Sequence, residues 1–237
     1  MLNPGLERRL KAHVAGEVLF GTFDRGRYAT DASHYQIMPA GVVVPASMDG
    51  AVAALGLARD EGIAVTARGG GTSQCGQTVN SGLIIDGSKY LNRILSLDVE
   101  GRRVTVEPGI VLDDLNRQLK RHGLWFPVDV STSSRATIGG MAANNSCGGR
   151  SLRYGTMRSN VLSIDAVLAD GSAMHFGEVA PDLSDADAQT RPLAEKLFAI
   201  GAREAGEVAA RFPKVHRRVD GYNLDALDPC RNRINLA

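Results

Sequence analysis

The sequence predicts a fold of mixed helices and strands arranged in two lobes, and three observations carry that expectation. Apolar runs of strand length and segments of helical period follow one another as strand, helix, strand near the N-terminus, and a strand feeds a helix again near residue 108. The 237 residues, 43% apolar and 22% charged, suffice for one large domain or two lobes with a real core. The 27 glycines concentrate in a few loops, as close-packed turns or ligand cradles require.

Met1 to Gly16 sets Leu2, Leu6 and Leu10 among Arg8, Arg9 and Lys11, which predicts a short amphipathic helix rather than a signal peptide. With the polar segment Tyr28-Ala29-Thr30-Asp31-Ala32-Ser33 it makes a leader over residues 1–37. Pro39 and Pro45 bracket a short buried strand, Gly41-Val42-Val43-Val44. Ser47 caps a helix with Met48, Val52 and Leu55 on one stripe, and Gly62 stops it. The apolar run Ile63–Thr66 is the next strand, completing a β-α-β unit, and Leu83–Asp86 is another. The first lobe is placed at residues 38–97 and the second at 98–213.

Ile94–Leu97 and Val104–Val106 read as a hairpin turning at Gly101. After Pro108-Gly109, Leu112, Leu115 and Leu119 share a helix face. Asp113 and Asp114 sit early, Lys120, Arg121 and His122 late, and Gly123 ends the helix. Strand feeding helix here predicts that β-α-β logic recurs in the second lobe. Leu162, Ile164, Ala166 and Leu168 alternate along a strand, and Asp170-Gly171 turns the chain into Ser172–Phe176. Residues 178–191 are acidic and loop-like; Leu193, Leu197, Ile200, Val208 and Phe212 predict helices to about Pro213. Residues 214–237 show no strong periodicity.

The stretch Arg68-Gly69-Gly70-Gly71-Thr72-Ser73 to Gly76 organises the chain. Three consecutive glycines free one turn of every Cβ, permit positive φ and let a ligand approach the backbone. Successive N–H groups in such a turn form a nest for phosphate oxygens, and Thr72 and Ser73 add hydroxyl donors. A tight strand exit without a ligand is the competing reading. Neither familiar phosphate motif fits. The spacing G-x-G-x-x-G fails at Gln74, and the P-loop spacing from Gly71 to Gly76 continues into Gln77-Thr78 where Lys-Ser/Thr is needed.

The second informative tract runs from Thr137 to Gly149 and holds almost nothing large. Gly139-Gly140 ahead of Met141-Ala142-Ala143-Asn144 predicts a helix N-terminus whose free N–H groups can bind an anion. Its small side chains leave room for a flat ring; close helix-on-sheet packing is the alternative. Two phosphate-friendly elements in one chain suit a dinucleotide with a pyrophosphate.

Net charge is +1, which gives no electrostatic case for nucleic acid or an anionic membrane, and no apolar run has membrane-spanning length. Cys75, Cys147 and Cys230 are odd in number and far apart, which points to a reducing, cytoplasmic setting. His13, His34, His122, His175 and His216 show no metal-ligand spacing, so no metal is expected. No Ser-His-Asp arrangement stands out, and no catalytic residue is assigned.

Taken together, Arg68-Gly-Gly-Gly-Thr-Ser73, Glu107-Pro-Gly109, Thr137-Ile-Gly-Gly-Met-Ala-Ala-Asn144 with Ser146-Cys-Gly148, Tyr154-Gly155 and Val167-Leu-Ala-Asp-Gly171 resemble the FAD-binding domain of FAD-linked oxidases. That family has the α+β, two-lobed flavoprotein fold of the vanillyl-alcohol oxidase or PCMH type. It includes glycolate oxidase FAD subunits and D-lactate and D-2-hydroxyglutarate dehydrogenases. The resemblance covers about residues 25–225. Arg27–Gln36 and Arg218-Val-Asp-Gly-Tyr-Asn-Leu-Asp225 are most similar to large bacterial D-2-hydroxyacid dehydrogenases that fuse this domain to an iron–sulfur domain.

The resemblance implies FAD between two lobes. Arg68, Gly69, Gly70, Gly71, Thr72, Ser73 and Gly76 would hold the pyrophosphate. Asp129, Ser133, Thr137, Gly139, Gly140, Asn144 and Gly148 would line the ribityl and ring region, and Tyr154, Gly155 and Val161 would complete the pocket. Relatives with covalent flavin use a His in the first glycine loop; Thr72-Ser73 stands there instead, so FAD is expected to be non-covalent. The implied activity is oxidation of a D-2-hydroxy acid of the lactate, glycolate or 2-hydroxyglutarate class by hydride transfer to flavin N5. Electrons would pass to an acceptor such as an iron–sulfur domain or subunit. The family closes this domain with a Gly-Ser-Glu-Gly-Thr segment, and its catalytic and metal-binding histidines come later. Residues 214–237 are therefore expected to begin a connection to a missing part, and the fragment alone to be inactive. A reductase of the same fold that uses NADPH, and a nucleotide-binding module without activity, are the alternatives.

Overall fold

The computed structural model describes residues 4–215, 218–219, 221–228 and 232–237. Leu2 of the expected helix stripe, His216, Asp220 of the tail motif and Cys230 lie outside the described residues. Helix α1 (Pro4–His13) leads to strand β1 (Gly16–Leu19), a short helix α2 (Thr22–Arg27) and strand β2 (Gly41–Pro45). Helix α3 (Met48–Asp60) starts where the Ser47 hydroxyl accepts the Gly50 N–H at 3.2 Å. It stops at Gly62, whose φ of +64° lets Ile63 turn back and donate to the Ala58 carbonyl. That return displaces the expected strand Ile63–Thr66 to β3 (Val65–Arg68), because Ile63 closes the helix and packs on the first core instead.

Strand β4 (Leu83–Asp86) lies between β2 and β3, giving the sheet order β1-β2-β4-β3. Strands β2, β4 and β3 are parallel, and β1 is an antiparallel edge. Val42, Val43, Val44, Leu83 and Ile84 are all buried, as a parallel sheet covered on both faces demands. Leu6 and Leu10 of α1 pack with Ala54 and Ala58 of α3 on Val43 and Leu83. Residues 1–37, expected as a leader, thus supply an edge strand and part of the core.

Strands β5 (Ile94–Asp98) and β6 (Arg103–Val106) form the expected hairpin, which crosses the expected lobe division at residue 97. Helix α4 (Leu112–Leu119) lays Leu115 and Leu119 on Ile94, Leu97, Val104 and Val106. Its continuation, the turn Lys120–His122, ends at Gly123 with φ +69°. Three short helices follow: α5 (Ile138–Ala143), α6 (Ser151–Tyr154) and α7 (Met157–Asn160). Strands β7 (Ile164–Val167) and β8 (Ala173–Phe176) pair across the Asp170-Gly171 turn. Strand β9 (Glu178–Val179), the long helix α8 (Arg191–Arg211) and strand β10 (Ile234–Asn235), which pairs with β9, complete the described chain.

The recurrence of β-α-β logic in the second lobe is not found. Among the described residues, β5–β6 and β7–β8 are separate antiparallel hairpins, and no strand runs parallel to β6. Helix α4 folds back on the hairpin that precedes it, so its apolar face is satisfied without a crossover.

Glu107 fixes the base of the β5–β6 hairpin. Its carboxylate accepts the Arg93 N–H at 2.8 Å, Nε–H at 3.1 Å and an Nη–H at 2.8 Å. Those bonds to Arg93 hold the carboxyl below the ordinary glutamate value of 4.5. A depressed folded value means stability that is present above 4.5 and is lost as pH falls through it. Arg93 is 70% exposed and screened by water, so Glu107→Gln is expected to cost about 1–2 kcal/mol near neutral pH. Urea denaturation should show that difference shrinking toward zero as the pH is lowered below 4.5.

Candidate functional site

The glycine loop leaves the C-terminal end of β3 and returns at β4 without a helix. Ligands of open parallel sheets gather at such strand ends. Gly71 has φ +64° and Gly76 φ +76°, backbone states that side-chain-bearing residues rarely adopt. Among the described residues, no backbone N–H from Gly69 to Gln74 has a protein acceptor, and the next, Cys75, reaches only the Ser73 hydroxyl at 3.4 Å. A run of unpaired donors in one turn is what an anionic oxygen needs.

The start of α5 is different, and the expectation of free N–H groups there is corrected. Ile138 N–H donates to Ile110 O, Gly139 N–H to Pro108 O and Gly140 N–H to the Thr137 hydroxyl at 3.3 Å. Neighbouring backbone and the Thr137 hydroxyl consume these donors, which leaves the first tract as the candidate anion site. A Cβ on Gly139 would run into Pro108, which makes this glycine a packing residue. Gly140 is more open, with only the Thr137 hydroxyl nearby, at 3.1 Å from a built Cβ.

Arg68 is held by protein carbonyls. Its guanidinium donates to the carbonyls of Tyr28 at 3.2 Å, Thr30 at 2.9 Å and Thr78 at 3.5 Å, and lies over the Tyr28 ring. A Cβ on Gly71 would meet that guanidinium. Arg68 therefore sits against Gly71, makes no ion pair among the described residues, and adds positive potential to the donor row. The Tyr28 hydroxyl donates to buried Asp86 at 2.8 Å; burial first and Asp86 second push the phenol upward, so it stays protonated.

The two tracts meet backbone to backbone. A Cβ on Gly69 would overlap the Thr137 hydroxyl, and one on Gly70 the Arg135 carbonyl. Gln77, which the motifs do not mark, reaches from the loop to Asn144 Oδ1 at 3.4 Å while its own carbonyl accepts the Ser73 hydroxyl. Tyr35 covers Gly76, and Thr78 donates to Asp31 at 3.0 Å. Gln77, Arg135 and Tyr35 carry no sequence signal, because their roles come from contacts across the chain.

The remaining expected site residues hold loops. The Asp129 carboxylate accepts the Arg150 backbone N–H at 2.9 Å, and a Cβ on Gly148 would strike Asp129. Ser133 accepts the Asp113 N–H through its carbonyl. Tyr154 packs edge-on to Trp125 at 5.3 Å in a separate cleft, and Gly155, at φ +79°, abuts Ser159. Val161 packs with Met157 and accepts from the Asn235 side chain at 2.9 Å. Among the described residues the Thr72 hydroxyl has no protein hydrogen-bond partner. Among the described residues no cluster of His, Cys, Asp and Glu could hold a metal, and no helix is long and apolar enough to cross a membrane. His175 Nδ1 pairs with Asp165 at 2.6 Å, but this is an exposed cross-strand pair on β7–β8.

A family model described as an FAD binding domain matches residues 39–177. The D-2-hydroxyglutarate dehydrogenase of Pantoea ananatis is 38% identical over 93% of this chain and 23% of its own length. Glycolate oxidase subunit GlcD of Bacillus subtilis is 35% identical over 73% of the chain and 38% of its own. The chain thus spans about a quarter of the length of the dehydrogenase. The structure of an alkyldihydroxyacetonephosphate synthase superposes with a TM-score of 0.67 at 21% identity, over 73% of this chain and 35% of that one. These likenesses bear out the α+β fold of the vanillyl-alcohol oxidase or PCMH type.

The glycines make separable predictions. Gly70→Ala pushes a methyl into the Arg135 carbonyl and is expected to destabilise the chain by about 1–3 kcal/mol. Gly140→Ala, inside α5 with open space beyond Thr137, is expected to stay within about 1 kcal/mol of the parent. Denaturant melts of the ligand-free variants check both; equal losses would contradict the seam.

Proposed function

The chain belongs to the FAD binding domain family, and we propose that it is the cofactor-holding part of a flavin-dependent dehydrogenase of D-2-hydroxy acids. The observation that carries this reading is the row of unpaired N–H groups from Gly69 to Gln74 with the Arg68 charge behind it. Donors of that kind fit a pyrophosphate, and the small side chains around Gly140 and Asn144 leave space beside them for the rest of FAD. Relatives named for D-2-hydroxyglutarate, glycolate and D-lactate support the substrate class.

In this reading Gly69, Gly70, Gly71, Thr72 and Ser73 bind the pyrophosphate through backbone donors, with the Thr72 hydroxyl beside them. Gly76 shapes the turn, and Gly140 and Asn144 wall the ribityl and ring region. Thr137, Gly139, Asp129, Ser133 and Gly148 keep that wall in place, and Tyr154, Gly155 and Val161 bound its far side. The lobes are residues 38–97 and 98–213, with FAD between them. FAD, when bound, supplies the two-electron acceptor for the substrate hydride. The chain's residues bind and orient it, and Thr72-Ser73 offers no histidine for a covalent link. The cysteine usage supports a cytoplasmic setting, and an iron–sulfur domain or subunit is the proposed electron acceptor.

Two measurements test the reading. Acid precipitation of the FAD-loaded chain is expected to leave all flavin in the supernatant; flavin in the pellet contradicts the non-covalent claim. Under anaerobic conditions the natural holoenzyme is expected to lose its flavin absorbance with D-lactate, glycolate or D-2-hydroxyglutarate. Bleaching by NADPH and by none of these acids would instead make it a reductase.

A further inference from the structure

We propose that the open cleft between the end of α4 and α6 is a docking surface for an acidic segment of a partner polypeptide. The cleft measures about 780 Å³, and its lining includes Lys120, Trp125, Arg150, Arg153 and Tyr154. Its lining shares Tyr154 with the cofactor reading, and none of its residues belongs to the glycine loop or to the 135–144 stretch.

Charge is the first argument. Every ionisable group in the lining with a full charge at neutral pH is a cation, in a chain whose net charge is only +1. Among the described residues Lys120, Arg150 and Arg153 have no carboxylate partner, whereas Arg9, Arg27, Arg93, Arg117 and Arg158 are each paired with one. The nearby acid, Asp129, spends its carboxylate on the Arg150 backbone N–H. The cleft therefore holds three cations that form no ion pair among the described residues.

Apolar chemistry is the second. Trp125 is 45% exposed, Tyr154 38%, and Leu152 on α6 72%. Arg150 lies over the Trp125 ring at 5.1 Å and Arg153 over the Tyr154 ring at 5.3 Å. A guanidinium over an aromatic face gains cation–π attraction and keeps N–H donors for a carboxylate. Tryptophan, tyrosine and arginine are the residues that dominate binding at protein interfaces.

The arrangement favours a polypeptide over a small anion. Among the described residues no buried side-chain polar atom is left unpartnered to face a small ligand here, and α6 is too short to offer a helix terminus. Separated cations around an apolar centre instead match a segment with several carboxylates flanking an aliphatic or aromatic side chain.

Trp125 is the sole tryptophan, so its emission reports on this cleft. The full chain is titrated with a short synthetic peptide alternating Glu with Leu, and binding is followed by Trp125 fluorescence and by anisotropy of the labelled peptide. We expect saturable binding that weakens with salt. Arg150→Ala and Arg153→Ala should each lose about tenfold in affinity, and Arg8→Ala on α1 should lose nothing. Circular dichroism shows whether the variants keep their fold. Absent binding, equal binding by a Lys/Leu peptide, or unchanged affinity in folded Arg150→Ala and Arg153→Ala variants overturns the proposal. So does citrate matching the peptide at equal concentration, which would make the cleft a small-anion site.

Discussion

The structure depends on a seam in which glycine backbone packs directly on neighbouring backbone and on the short side chains of Thr137 and Pro108. Gly69 and Gly70 lie against Thr137 and Arg135, Gly109 against the Gly87 and Leu91 carbonyls, and Gly139 against Pro108. Backbone hydrogen bonds run along the same line: Gly87 to Arg68, Gly109 to Leu91, Gly139 to Pro108, Ile138 to Ile110 and Leu112 to Ala136. Each step needs a glycine or a carbonyl facing an N–H, so a single Cβ at Gly70 or Gly109 forces two segments apart. The seam ties the parallel sheet to the hairpin-and-helix part of the chain, and the glycine loop opens at its edge.

The seam also decides which donors are free. Closing it spends the N–H groups at the start of α5 on Pro108, Ile110 and Thr137. It spends none of those from Gly69 to Gln74. An unpaired backbone donor costs free energy unless water or a ligand takes it, so a loop held open in this way is built for an acceptor. Arg68 adds charge without crowding the site, because the Tyr28, Thr30 and Thr78 carbonyls hold it behind Gly71.

Local chemistry was legible in the residues; partnership was not. The Ser47 cap and Gly62 stop, the face of Leu112, Leu115 and Leu119, and the turn at Asp170-Gly171 follow from nearest neighbours, and the structure has them. The two glycine tracts likewise stood out, and they do meet. Helix α2 carries Gly26 in its interior and no side-chain cap, so nothing local announces it. Strand β1 exists because β2 offers an edge, and α6 and α7 are single turns without caps. The orientation of Arg68 and the spent donors of α5 depend on carbonyls far away in sequence, which spacing alone cannot reveal. That is why spacing suggests free donors at the start of α5 where the structure has them bonded.

The central claim is that the pyrophosphate of FAD sits on the N–H groups of the first glycine loop. Amide chemical shifts and hydrogen exchange of an isotope-labelled chain test it directly. On saturation with FAD, the amides of Gly69, Gly70, Gly71, Thr72 and Ser73 should move and exchange more slowly, while those of Ile138 and Gly139, already bonded to protein, should keep their protection. Saturable FAD binding that leaves the five loop amides unchanged would contradict the account.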